Sequence, residues 1–167
     1  MKTLIVGLGN PILTDDGVGV KVAYRLQECL AGRVPNGLSI VEACVGGLRL
    51  MELMIGYDRV ILIDAMTHGD VAPGTVQRLT LDDLRAISPT QHSASAHDTT
   101  LITALAAGRQ MGLSLPDEVV IYGVAVENVI DFGDQPTPAV DKVIPEVTQA
   151  VLAEIAVMET EGLSIKG

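Results

Sequence analysis

Hydrophobic positions in this chain fall into short continuous runs that alternate with longer amphipathic stretches. Leu4 to Val6 is a compact apolar run closed at Gly7, and Arg59 to Asp64 (RVILID) is the clearest buried strand, four apolar residues closed by an acid. Leu38 to Cys44 and Glu118 to Val124 read as two more strands, and Thr75 to Leu79 alternates as an edge strand does. Between these runs the spacing turns helical. Val18, Val22, Leu26 and Cys29 recur along one face of a helix from Gly17 to Leu30, with Lys21, Arg25 and Glu28 opposite. Gly46-Gly47 leads into a helix through Ile55 that stops at Gly56. Thr80 and Asp83 form a capping box for a short helix to Ala86, and Ser95-Ala96-His97-Asp98 has the same form ahead of a helix to Met111 closed by Gly112. In the last helix Val140, Val143, Ile144, Val147, Val151, Leu152 and Ile155 make an apolar stripe, with Pro145 either near its start or at a kink.

Strands alternating with helices, without internal repeats or linkers, predict an α/β fold: a single-domain three-layer α/β/α architecture spanning 1–167. The sheet is expected to be twisted, five-stranded and mostly parallel, with helices on both faces and one antiparallel edge strand. The tail at 159–167 is expected to fray. Composition sharpens this picture. Hydrophobic residues make up 48% of the chain, yet Phe132 and three tyrosines are its aromatics, so the core is aliphatic, as suits parallel strands covered on both faces. Ile87 to Ala96 is small and polar, the longest expected irregular loop and a candidate functional one.

Charge narrows the partners. The formal net charge of −10 repels phosphate backbones, which argues against nucleic acid. Cys29 and Cys44 lie in apolar patterns and form no CxxC pair, so they are read as small buried residues in a reducing compartment. LIVGLG is too short for a leader, and no apolar run reaches the roughly 18 residues of a membrane span. A cytoplasmic monomer without a membrane partner is expected.

The candidate chemistry follows from topology. Right-handed crossovers put the ends of the first and third strands, Gly7 and Asp64, on one edge of the sheet. Asp16 follows the first strand, Asp64 ends the third, and His97 opens a helix entered from the long loop. Each has a plainer reading: Asp15 or Asp16 as a helix cap, Asp64 as a solvated strand end, His97 as a surface histidine. Together they form a mixed O/N donor set suited to nickel or zinc with positions left open for a substrate. A helix N-terminus would also favour the neutral imidazole that metal binding requires. His68 and His92 are spare candidates. HExxH and GxSxG are both missing from the sequence.

At this point the chain resembles the nickel–iron hydrogenase maturation proteases. The likeness rests on VGLGNPILTDDGVGV (Val6 to Val20), VILIDA (Val60 to Ala65) with PGT after it (Pro73 to Thr75), and SAHDTTLITAL (Ser95 to Leu105). It continues through GVAVENV (Gly123 to Val129) and TPAVDKVIP (Thr137 to Pro145). The resemblance implies an endopeptidase that removes the C-terminal extension of a hydrogenase large-subunit precursor after nickel insertion. It implies that Asp16, Asp64 and His97 are both the nickel ligands and the catalytic set, and that nickel arrives with the precursor. Two departures stand out: Asp16 replaces a glutamate found in better-known members, and ACVGG (Ala43 to Gly47) lacks the acid some members carry before the glycine pair. GLGNP also resembles the opening of peptidyl-tRNA hydrolases, but those imply an early histidine and a basic face, whereas the first histidine here is His68. A dinucleotide-binding module is the non-enzymatic alternative. Gly7 and Gly9 match the first two glycines of GxGxxG and Glu42 could serve as the ribose acid, but Ile12 stands where the third glycine belongs.

Overall fold

The computed structural model describes residues 1–67, 71–87 and 96–164, with side chains described for all of these except 87, 96–100 and 158–164. The elements run β1 (Thr3–Leu8), a 3-10 turn (Thr14–Gly17), α1 (Val18–Cys29), β2 (Leu38–Ala43), α2 (Gly47–Met54), β3 (Arg59–Met66) and β4 (Val76–Thr80). They continue with α3 (Leu81–Ile87), α4 (Ala96–Gln110), β5 (Glu118–Ala125), α5 (Pro138–Asp141) and α6 (Ile144–Ser164). The sheet order is β2-β1-β3-β5-β4. β1 pairs in parallel with β2 and β3, β3 in parallel with β5, and β4 closes the sheet antiparallel to β5. This is the expected mostly parallel sheet with one antiparallel edge.

Side-chain alternation divides the core in two. Ile61, Ile63 and Ala65 of β3 pack with Ile5 against Val18, Val22 and Leu26 of α1 and Val147, Val151 and Ile155 of α6. Val60 and Leu62 pack with Leu4, Val6 and Leu8 against Leu50 and Met54 of α2, Leu84 of α3, and Leu101 and Leu105 of α4. By the same alternation Asp64 belongs to the face that carries α2, α3 and α4. Thr80 and Asp83 form the anticipated capping box: Asp83 Oδ2 accepts the Thr80 N–H at 2.7 Å while Thr80 Oγ1 accepts the Asp83 N–H at 3.2 Å.

Several expectations need correction. β3 does not stop at Asp64. Asp64, Ala65 and Met66 continue the ladder opposite Gly123, Val124 and Ala125, so the acid lies inside a strand and is 3% exposed. The terminal helix is split. Pro145 has no N–H to offer the carbonyl of Asp141, so the chain breaks after α5 and restarts with Pro145 in the first turn of α6. α6 runs to Ser164. Cys29 and Cys44 are exposed, not buried, because each sits at the end of its element, where neighbouring layers no longer cover it. Among the described residues no helix is long and apolar enough to cross a membrane.

The opposite edge of the sheet is pinned by charge. Glu154 of α6 accepts from Arg59, from Arg78 Nε at 2.7 Å and from Tyr122 Oη at 2.5 Å. Arg59 Nε lies 3.0 Å from Glu118 as an ion pair without hydrogen-bond geometry.

Candidate functional site

The carboxyl edge of the sheet is built around two glycines. A Cβ at Gly19 would overlap the carbonyl oxygens of Leu8 and Ile63, and one at Gly7 would overlap the Gly19 carbonyl. Without those side chains the start of α1 settles directly on the ends of β1 and β3, which presses the 3-10 turn against β3. Asp16, in that turn, and Asp64, immediately after Ile63, are thereby fixed on adjoining segments.

Asp15 and Asp16 divide their labour, and neither caps α1, whose N-cap Gly17 receives no side-chain hydrogen bond. Asp15 is fully buried. Its carboxylate accepts the N–H groups of Glu127 (3.2 Å), Asn128 (3.1 Å) and Thr137 (2.6 Å), together with Thr137 Oγ1 (3.0 Å). Its own N–H donates to the Asn128 carbonyl at 2.9 Å. It is the peg that joins the first turn to the segment between β5 and α5. Asp16 is half-buried, and among the described residues its carboxylate accepts one hydrogen bond, from the Asn10 N–H at 2.7 Å. It retains lone pairs for a ligand. Asp64 Oδ1 accepts the Ala65 N–H at 2.9 Å, a local bond that orients the buried carboxylate within β3.

The third predicted residue is placed by its helix. α4 precedes β5 and runs back along the sheet, so its first residues lie at the carboxyl edge. Position 97 falls one turn before the buried Leu101, on the sheet face to which Asp64 belongs. The His97 side chain itself lies outside the described residues, as do His68 and His92. A largely apolar groove of about 630 Å³ lies between α2 and α4, lined by Gly46, Gly47, Leu48, Arg49, Thr103, Ala104 and Ala107.

The turn is poorly made for a phosphate. Gly9 has φ of 126°, and the space a Cβ would take is filled by the Asp16 carbonyl. The Asn10 N–H that could face an anion is already taken by Asp16, and two N–H groups across the corner are taken by Asp15. Internal carboxylates hold the places a pyrophosphate would need, so the dinucleotide and tRNA readings lose their footing. Sequence reasoning missed Asp15 as the hub. Its partners Asn128 and Thr137 stand in the two segments GVAVENV and TPAVDKVIP, which carried resemblance without an assigned role; that was the available signal.

A doubly covered α/β sheet with acids rather than free anion-binding amides at its carboxyl edge is suited to a cation or a proton and not to a phosphate. Comparison with known proteins then gives the family. The family model described as hydrogenase maturation protease matches residues 20–154, and the chain belongs to that family of endopeptidases. It is 28% identical over 155 residues to the hydrogenase 2 maturation protease of Escherichia coli K12, covering 93% of this chain and 91% of that one. It is also 28% identical over 156 residues to the hydrogenase expression/formation protein HupD of Bradyrhizobium diazoefficiens, covering 92% and 79%. The structure of the E. coli hydrogenase maturating endopeptidase HybD superposes with a TM-score of 0.79 at 28% identity, over 95% of this chain and 94% of the other.

Proposed function

We propose that this endopeptidase removes the C-terminal extension of a nickel–iron hydrogenase large-subunit precursor once nickel is in place, and that Asp16, Asp64 and His97 address the nickel carried by that substrate. The observation that carries the reading is the packing of Gly19 on the Leu8 and Ile63 carbonyls, which fixes the Asp16 turn against the strand bearing Asp64. The opening of α4 with His97 at the same edge supports it, as does family membership.

The donor chemistry suits the role. Two carboxylates and an imidazole match a borderline divalent ion, and three protein ligands leave room for groups from the substrate. Asp16 is one methylene shorter than the glutamate of better-known members, so its turn must bring the metal closer to the backbone. Nickel would polarise the adjacent peptide carbonyl. The chain supplies a carboxylate to take a proton from the attacking water, and a rigid corner that holds the bond in place. The enzyme acts as a cytoplasmic monomer, which sedimentation of the purified chain and cell fractionation test directly.

The catalytic assignment is tested by Asp64→Asn, followed by the mobility shift of the precursor on a denaturing gel. The variant is expected to bind precursor and leave it uncut. Processing at the wild-type rate would remove Asp64 from the mechanism.

A further inference from the structure

Three large apolar side chains stand in water beside the Asp16 turn: Ile12 is 56% exposed, and Ile130 and Phe132 are each 82% exposed. They sit on two segments that are laced together. The Gly133 N–H donates to the Ile12 carbonyl at 3.0 Å, Leu13 bridges Gly133, and Thr14 Oγ1 donates to the Asp131 carbonyl at 2.6 Å. Asn128 folds the second segment on itself, its Oδ1 accepting the N–H groups of Ile130 (3.3 Å) and Asp131 (3.1 Å). The Asp15 carboxylate anchors both ends of that segment through Asn128 and Thr137. The backbone beneath the apolar side chains is therefore ordered in advance, and covering them costs little conformational entropy. The segment that carries Ile130 and Phe132 also carries the exposed acids Glu127, Asp131 and Asp134. The nearby Lys21 ammonium is engaged with the Asp134 carbonyl.

We propose that Ile12, Ile130 and Phe132 form the docking knob for the folded body of the precursor, whose matching face is apolar with a basic rim. This rests on the proteolytic reading above. An enzyme that cuts one bond of a folded protein must hold more than the peptide, and this patch is continuous with the turn that carries Asp16. Charge selects the occupant. A second copy would set this acidic rim against its own image in a chain of net charge −10, whereas a basic-rimmed partner is drawn to it.

The test is the double variant Ile130→Ser, Phe132→Ser, with nickel-loaded precursor as the probe. Both side chains are exposed, so the melting temperature is expected to match wild type. KM is expected to rise roughly tenfold with kcat nearly unchanged, and added salt to raise the wild-type KM. Precursor binding is measured as well in the Asp64→Asn background, where no cleavage is expected. A wild-type chain that leaves the precursor uncut would refute the proteolytic reading, while the binding arm still decides the patch. Unchanged precursor affinity in the double variant would overturn the proposal. Loss of a wild-type dimer in that variant with unchanged affinity would do the same and assign the knob to self-association.

Discussion

The carboxylate of Asp15 and the backbone N–H of Thr137, 122 positions apart in the chain, are joined at 2.6 Å in the buried heart of the carboxyl edge. That bond, with those from Glu127 and Asn128, is what holds the first turn of the sheet and the segment before α5 as one unit. Asp16, its neighbour, is left half-buried with a single hydrogen bond among the described residues.

Substituting Asp15 by Ala leaves the part-buried N–H groups of Glu127, Asn128 and Thr137 without that acceptor, at about 1–3 kcal/mol each before relaxation and before water reaches them. We expect a loss of about 3 kcal/mol or more in urea unfolding, with activity falling as the corner loosens. Asp16→Ala gives up one partly solvated hydrogen bond and is expected to cost about 1 kcal/mol while abolishing precursor processing. Paired denaturation and processing measurements on the two variants separate a peg from a ligand.

Gly19→Ala inserts a methyl group into the Leu8 and Ile63 carbonyls, both of them backbone that cannot rotate aside. The start of α1 must lift from the sheet. A loss of about 2–3 kcal/mol is expected, with a fall in processing larger than the stability loss explains, because Asp16 moves away from Asp64. Thermal melts and processing rates at a temperature where the variant stays folded check this.

Legibility in the sequence tracked how local each feature is. The Thr80–Asp83 capping box was readable because donor and acceptor lie three residues apart and nothing distant competes. The alternation of apolar runs gave the layers for the same reason. Asp15 was misread because the residues that claim its carboxylate arrive from 127–137, and local rules offered a helix cap instead. β3 was cut two residues short because an acid after four apolar residues looks like an end; pairing with β5 carries the strand on through Met66. Cys29 and Cys44 show the converse limit. Their apolar spacing reports the direction a side chain points, and not whether another layer covers it there.

The far edge of the sheet makes a pH prediction. Burial alone pushes the Glu154 carboxyl up, but hydrogen bonds from Arg78 and Tyr122 and the charges of Arg59 and Arg78 outweigh it and hold the group below its ordinary value. A carboxyl lowered by folding contributes stability above its unfolded value, near 4.5, and that stability is lost as pH falls through the folded value. Glu154→Gln is therefore expected to be less stable than wild type at neutral pH, the gap closing as pH drops below about 4.5. At the other extreme Tyr122 is pushed up to about 12, chiefly by burial and then by Glu154. Its contribution is present below its ordinary value near 10 and disappears as pH rises towards about 12. Urea midpoints across the pH range read both limbs.

The decisive measurement is the rate at which purified chain processes the large-subunit precursor with and without nickel. If Asp16, Asp64 and His97 address a metal brought by the substrate, nickel-loaded precursor is cut and nickel-free precursor is left intact. Equal cleavage of the two would show that the carboxyl edge does not read the metal, and would return Asp16 and Asp64 to structural roles.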